Sequence, residues 1–302
     1  VEQRFRKPSV VGSNPTAGLV ALNLRKGMDR LLFGTGGTPH SAKTPSTIDG
    51  IERIAELGLG CMEIEFVQGV KMGEGSARLV AEVATRRGVK LSAHAPYFIN
   101  LNARELEKIR ASQDRILQTA RIASLCHAES IVFHPAFYMG DLPEKAYANV
   151  KKHLEEVLNQ LKRENNQVCI RLEVTGKGSQ FGTIEEVLNL SAELEGIAPC
   201  LDFAHWHART GKYNSYAEFA TILLQVRERL GGAALDNMHI HVSGISYGKK
   251  GEVKHLNLEE SDFHYNEFLS ALKDYEVKGM VICESPNLEE DALLMKKTYY
   301  GL

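Results

Sequence analysis

Tryptophan occurs once and cysteine five times in 302 residues, and no two cysteines form a Cys-x-x-Cys pair. The odd, scattered set Cys61, Cys126, Cys169, Cys200 and Cys283 argues against a disulfide-stapled scaffold and against thiolate coordination of a metal. Most of these cysteines lie in apolar runs such as CMEIEFV and QVCIRLEV, so reduced, mostly buried thiols in a cytoplasmic protein are expected. No run of about 18 apolar residues is present, so no membrane-spanning helix and no membrane partner are expected. Charge of one sign is not in excess either: 36 Lys and Arg face 38 Asp and Glu, for a formal net charge of −2. The whole molecule therefore has no general attraction for polyanions. Any contact with nucleic acid needs a local basic surface, because phosphate contacts supply most of the non-specific affinity.

Apolar material is ample, at 43% of residues, and it is periodically arranged from Met28 onward. Short β-rich runs occur at 30–34, 61–66, 90–94, 130–134, 168–174, 199–203, 238–243 and 279–284. Amphipathic stretches lie between them. Ile48 to Leu57 repeats apolar residues at Ile48, Ile51, Ile54 and Ala55, and Lys145 to Lys162 carries Val150, Leu154, Val157, Leu158 and Leu161 on one helical face. Strict β-then-α alternation implies a parallel sheet with helical crossovers, and eight repeats imply a closed (β/α)₈ barrel in one domain, 28–302. Residues 1–27 differ, with breakers and no period. Gly12-Ser13-Asn14-Pro15-Thr16 can be encoded by GGT-TCG-AAT-CCG-ACC, which contains a common tRNA T-arm sequence, so a start assigned too far upstream is expected. A chain begun at Met28 would keep every barrel element.

In such barrels the functional groups gather at the C-terminal ends of the strands. Here those ends carry His94, His134, Glu173, Asp202 with His205 just beyond, the pair His239 and His241, and Glu284. Six consecutive strands deliver metal-ligand residue types to one rim. Unpartnered buried carboxylates would cost several kcal/mol, and divalent cations offset that cost. Imidazole with carboxylate suits zinc, and also manganese or iron. A carboxylate such as Glu173 can bridge two ions, an arrangement suited to phosphoester hydrolysis.

At these residues the sequence resembles the endonuclease IV family, from about Leu59 to Tyr299. His94-Ala-Pro-Tyr-Phe-Ile-Asn-Leu101 is similar to the family segment His-Gly-x-Tyr-Leu-Ile-Asn-Leu, and Cys200-Leu-Asp-Phe-Ala-His205 to Cys-Leu-Asp-Thr-Cys-His. Met238 to Glu252 matches the family's Met-His-x-Asn-Asp-Ser-Lys stretch, and VFHPA (132–136) and CESP (283–286) match as well. The resemblance implies two or three zinc ions. His94, His134 and Glu173 would hold the first. Glu173, as the catalytic bridge, would hold the second with Asp202, His239 and Glu284. His205 would hold the third with Glu252 and His255, which stand one residue further apart than the family's Asp-x-His. Tyr97 and Phe98 match residues that wedge into the DNA minor groove beside a flipped-out nucleotide. Three departures stand out: FGTGGTPHSA (33–42) replaces the family's first-strand pattern, no Asn and Arg follow strand two, where Lys71 is the nearest cation, and Phe203 replaces Thr.

The implied activity is hydrolysis of double-stranded DNA 5′ to abasic sites, by a monomer. A sugar isomerase or epimerase of the xylose isomerase-like superfamily would use only the Glu-Asp-His-Glu set, and a non-catalytic relative would need none of it.

Overall fold

The structure, a computed structural model, describes residues 27–302. Residues 1–26, and with them the expectation of a misassigned start, lie outside the described residues.

Eight parallel strands close into a barrel: β1 (Leu31–Gly36), β2 (Cys61–Glu65), β3 (Lys90–His94), β4 (Ser130–Phe133), β6 (Cys169–Glu173), β8 (Ile197–Asp202), β9 (Met238–Val242) and β12 (Gly279–Cys283). β1 and β12 pair from Leu31↔Gly279 to Thr35↔Cys283 and complete the circuit. Helices form the outer ring, among them α1 (Thr47–Glu56), α3 (Leu106–Leu125), α4 (Pro143–Arg163) and α5 (Ile184–Glu193). Their starts follow local chemistry. The Ser46 side chain accepts the Asp49 amide at the head of α1, and Thr183 and Glu186 form a reciprocal capping box on α5. The stripe expected on α4 is the buried one at Val150, Leu154, Val157 and Leu161.

Strand alternation sorts the side chains by layer. Ile170 and Leu172 of β6 join the apolar cluster beneath the helices, while Arg171 and Glu173 have the opposite parity and face the barrel interior. Low in the barrel, Cys61, Met280 and Ile282 form a small apolar floor with Met28 and Leu32. Arg171 is buried there and donates to the carbonyls of Pro199 (3.0 Å) and Asn237 (2.9 Å). Moving toward the C-terminal ends, the inward positions turn to Glu63, Ser92 and His239, and then to the residues of the rim.

Two antiparallel ribbons rise above this rim: β5 (Ala136–Phe137) with β7 (Gln180–Phe181), and β10 (Gly244–Gly248) with β11 (Gly251–Leu256). The helix that follows β8 is short, α6 (Phe203–Thr210), and a second helix, α7 (Tyr216–Leu230), completes that crossover. The free thiols accord with the expectation: Cys61, Cys126, Cys200 and Cys283 are buried, and Cys169 is partly so.

Gly279 is one of the tightest points in the barrel wall. Its φ is +128°, and an added Cβ would fall 1.9 Å from the Met238 carbonyl oxygen of the neighbouring strand. Gly279→Ala is expected to cost roughly 3 kcal/mol or more, from strained φ and forced strand separation together. Urea denaturation checks this, and an unchanged midpoint would show that the β9–β12 seam has slack.

Candidate metal centre

Glu173, the last residue of β6, is the hub. One carboxylate oxygen lies 3.1 Å from His94 Nε2 and 3.0 Å from His134 Nε2; the other lies 3.2 Å from His205 Nδ1 and 3.5 Å from His241 Nδ1. His94 ends β3, His134 follows β4, His205 sits in the first turn of α6, and His241 is the fourth residue of β9. Asp202, the last residue of β8, caps α6 by accepting the His205 amide at 2.7 Å, and its other oxygen lies 3.0 Å from His205 Nδ1.

Among the described residues five groups of ligand atoms have their atoms within 4.8 Å of one another, and three of them meet at the rim: His94, His134 and Glu173; Glu173, Asp202, His241 and Glu284; and His205, Glu252 and His255; the other two are Cys200, His239 and His241, and Glu63, Glu65 and Glu284. The donor set fits divalent metal. Asp202 Oδ2 and His241 Nδ1 are buried and make no hydrogen bond of proper geometry, although Asp202 Oδ2 lies beside His205 and both atoms face the centre. His94 Nδ1 lies 2.8 Å from the Ala95 carbonyl and His255 Nδ1 lies 3.1 Å from the Glu284 carbonyl. Each contact fixes a tautomer with the proton on Nδ1 and turns Nε2 toward the centre.

The electrostatics also call for positive charge. Burial alone would raise the Glu173 carboxyl, yet the His134 and His241 imidazoles hold it well below the carboxylate range. Burial would likewise lower His94, but Glu173 and Glu65 draw it up to about 10. Asp202 is pushed up to about 6 by burial, against the pull of His205. In this centre protons on imidazole balance carboxylates whose charge a divalent cation would otherwise neutralise.

One expected residue falls in a different group. His239 is not in the group with Glu173, Asp202 and Glu284; His241 is, with Nδ1 3.3 Å from Glu284 Oε1. Both histidines have the same parity on β9 and both face inward, but two residues of strand span about 6.6 Å, which sets His239 one layer deeper. There its Nε2 lies 2.9 Å from Glu63 Oε2, and burial lowers its pKa to about 4.

Glu63 is a residue that strand-end reasoning passed over. Fully buried in β2, it reaches His241 Nε2 at 2.9 Å with one oxygen; with the other it meets His239 and accepts from Ser92 Oγ at 2.6 Å. The Glu63–His241 approach is a close charge contact without hydrogen-bond geometry, and it places Glu63 directly behind His241. Glu65, two residues on, stands against Glu63 and Glu284 with one buried, unpartnered oxygen, and burial pushes it up to about 8. The signal for both was in CMEIE: carboxylates at alternate positions of an otherwise apolar barrel strand. Gln180 was also missed; its Nε2 lies 3.5 Å from His134 Nδ1.

The third group depends on an irregular strand. β10 and β11 pair as Ile245↔His255 and Ser246↔Lys254, then Tyr247↔Glu252, so Val253 is an extra residue in a β-bulge. The bulge resets the parity of β11 and brings Glu252 and His255, three residues apart, to one face. His205 Nε2 lies 3.2 Å from His255 Nε2 and 3.6 Å from Glu252 Oε2. The longer spacing seen in the sequence is thus absorbed by one bulged residue.

Tyr97 and Phe98 follow β3 and are 65% and 69% exposed, which rules out a core-packing role for the pair. The Tyr97 ring is centred 6.2 Å from that of His94, so Tyr97 borders the centre and Phe98 follows it in the chain.

Residues 51–298 match the family model described as xylose isomerase-like TIM barrel, and the chain belongs to that family. An uncharacterized protein of Methanocaldococcus jannaschii is 46% identical over 273 residues, covering 90% of this chain and 98% of that one. A probable endonuclease 4 of Mycoplasma pneumoniae is 28% identical, over 64% of this chain and 67% of its own. Among solved structures, endonuclease IV from Thermus thermophilus superposes with TM-score 0.67 at 19% identity, covering 90% of this chain and 98% of that one. A D-tagatose 3-epimerase-like protein gives 0.66, also at 19% identity, covering 89% and 96%. At such identities the two structures speak to the fold alone.

If Glu63 holds His241 in place, Glu63→Gln should weaken the ion held by the Glu173, Asp202, His241 and Glu284 group by roughly 10–100-fold. Zinc titration against a chromophoric chelator measures it. Wild-type affinity at that site would show that His241 is oriented without Glu63.

Proposed function

We propose that this chain is a metal-dependent endonuclease that hydrolyses the phosphodiester 5′ to abasic sites in double-stranded DNA, leaving a 3′-hydroxyl and a 5′-deoxyribose phosphate. The observation that carries the reading is the set of three adjoining ligand groups around Glu173 beneath an exposed aromatic pair. His94, His134 and Glu173 would hold one ion, Glu173, Asp202, His241 and Glu284 a second, and His205, Glu252 and His255 a third. Zinc suits these donors best, with manganese or iron also compatible. Bound ions supply water activation and charge stabilisation at phosphorus. Glu173 fixes the spacing of the first two sites, and Glu63 and Gln180 brace His241 and His134 from behind. Tyr97 and Phe98 are available to fill the gap left by a missing base, which offsets lost stacking. Among the described residues no helix is long and apolar enough to cross a membrane. A cytoplasmic monomer acting on DNA is the setting this reading implies.

The group Glu173, Asp202, His241 and Glu284 is by itself a four-ligand set of the kind a ketose epimerase could use, and the epimerase-like neighbour shares the fold. That reading leaves His94, His134, the His205 group and the exposed aromatics without a task, so the nuclease accounts for more of the rim.

The aromatic pair separates the two. Tyr97→Ala with Phe98→Ala should slow cleavage of a duplex bearing one tetrahydrofuran abasic analogue by roughly 10–1000-fold, or about 1–4 kcal/mol. Bound zinc should not change, and hydrolysis of bis(p-nitrophenyl) phosphate should stay near wild type. Equal loss on both substrates would assign the pair a structural role. Epimerisation of a free ketohexose by the wild-type protein, with no nicking, would move the assignment to the sugar enzymes.

A further inference from the structure

The third ligand group is mounted differently from the other two. Its neighbours stand on or beside barrel strands, whereas Glu252 and His255 ride on the β10–β11 hairpin, which is outside the barrel, and His205 is on the short helix α6. Something must hold hairpin and helix at a fixed separation. On one side backbone does so: Glu252 N–H donates to the Gly176 carbonyl at 2.9 Å, and a Cβ on Gly176 would fall 2.7 Å from that of Glu252. On the other side the contact is made by side chains. Tyr247 of β10 donates its hydroxyl to Asp262 Oδ2 at 2.7 Å. Asp262 Oδ1 lies 3.3 Å from Nε2 of His207, which is buried on α6 two residues beyond His205. The His207 ring meets the Tyr247 ring edge-on with centroids 4.9 Å apart, and its Nδ1 lies 2.9 Å from the Lys212 carbonyl. Asn214 Nδ2 donates to the Asp262 carbonyl at 2.7 Å and steadies the aspartate.

We propose that Tyr247, Asp262 and His207 are positioning residues that clamp the hairpin to α6 and so set the spacing of the third metal site. The inference rests on reading His205, Glu252 and His255 as ligands. The clamp's own hydrogen bonds, Tyr247 to Asp262 and Asp262 to His207, involve none of the three ligand side chains, although Tyr247 stands opposite Glu252 in the hairpin register. It acts through the backbone that joins Tyr247 to the bulged strand and His207 to His205. Partners hydrogen-bonded directly to a ligand typically alter metal affinity by about 10–100-fold, and this range bounds from above the effect expected of a clamp that acts through backbone. Such an effect should fall on this ion alone, because the other ligands are fixed by the barrel and by residues just beyond its strand ends.

The test uses the full chain with zinc alone as probe, titrated against a competing chelator, with the metal-free unfolding midpoint measured in parallel. Wild type should bind three ions, and His205→Ala should lose the third. Tyr247→Phe, which removes only a hydroxyl, and Asp262→Ala should each measurably weaken the third ion, by up to roughly 100-fold. The first two ions and the metal-free midpoint should stay unchanged. Asp262→Asn, which keeps one acceptor for the tyrosine hydroxyl, should recover part of the affinity. Wild-type affinity for all three ions in Tyr247→Phe and Asp262→Ala would overturn the clamp while leaving the third site intact. Parallel weakening of all three ions with a lowered midpoint would reduce these residues to general structure and overturn it too. Two ions in wild type, unaffected by His205→Ala, would remove the third site itself and the clamp with it.

Discussion

Four imidazoles converge on the Glu173 carboxylate, which is 1% exposed and held ionised against the cost of its burial. A lone ionised carboxylate at that depth would be prohibitively expensive. Everything arranged around it answers that cost, from histidines delivered by separate strands to tautomers fixed by backbone carbonyls and a second buried carboxylate behind His241. The same arrangement places Glu173 in two ligand groups at once, which couples their spacing.

The barrel supplies rigidity where the groups share this carboxylate, and the hairpin supplies the adjustable part. Strand parity aims Glu173, Asp202 and His241 inward without any local irregularity. Glu252 and His255 would face opposite ways on a regular strand, and the Val253 bulge brings them together. A loop-borne site can change spacing among relatives by a single bulge, whereas a strand-borne ligand cannot move by one residue without turning to the other face.

The barrel was legible in the sequence because its strands are buried on both faces and read as short apolar runs between amphipathic helices. The runs at 61–66, 90–94 and 130–134 agree with the observed strands to within one residue. Most rim residues were legible for the same reason, since a polar residue closing such a run has few structural roles. The choice between His239 and His241 was not. Both have inward parity, and only depth along the barrel, set by the register of β9 against β8 and β12, tells them apart. Aligning the Met-His pair of the family pattern picked the deeper one. Glu63 and Gln180 act behind the ligands rather than at strand ends, so no end-of-strand rule reaches them. The ribbons at β5–β7 and β10–β11 were missed because two-residue pairings and a bulged hairpin carry too little periodicity to register.

Under the proposed function, Glu173 organises a metal centre that cuts DNA at abasic sites. The most direct test of this role is nicking of a duplex with one tetrahydrofuran site by the zinc-loaded protein and by Glu173→Gln, with zinc per chain measured on the same samples. Glu173→Gln keeps the side-chain shape but removes the charge that two ligand groups share. Wild type should nick in a chelator-sensitive way, and Glu173→Gln should not nick above background and should hold fewer zinc ions per chain with the fold retained. Nicking by Glu173→Gln at the wild-type rate with full zinc content would contradict that role.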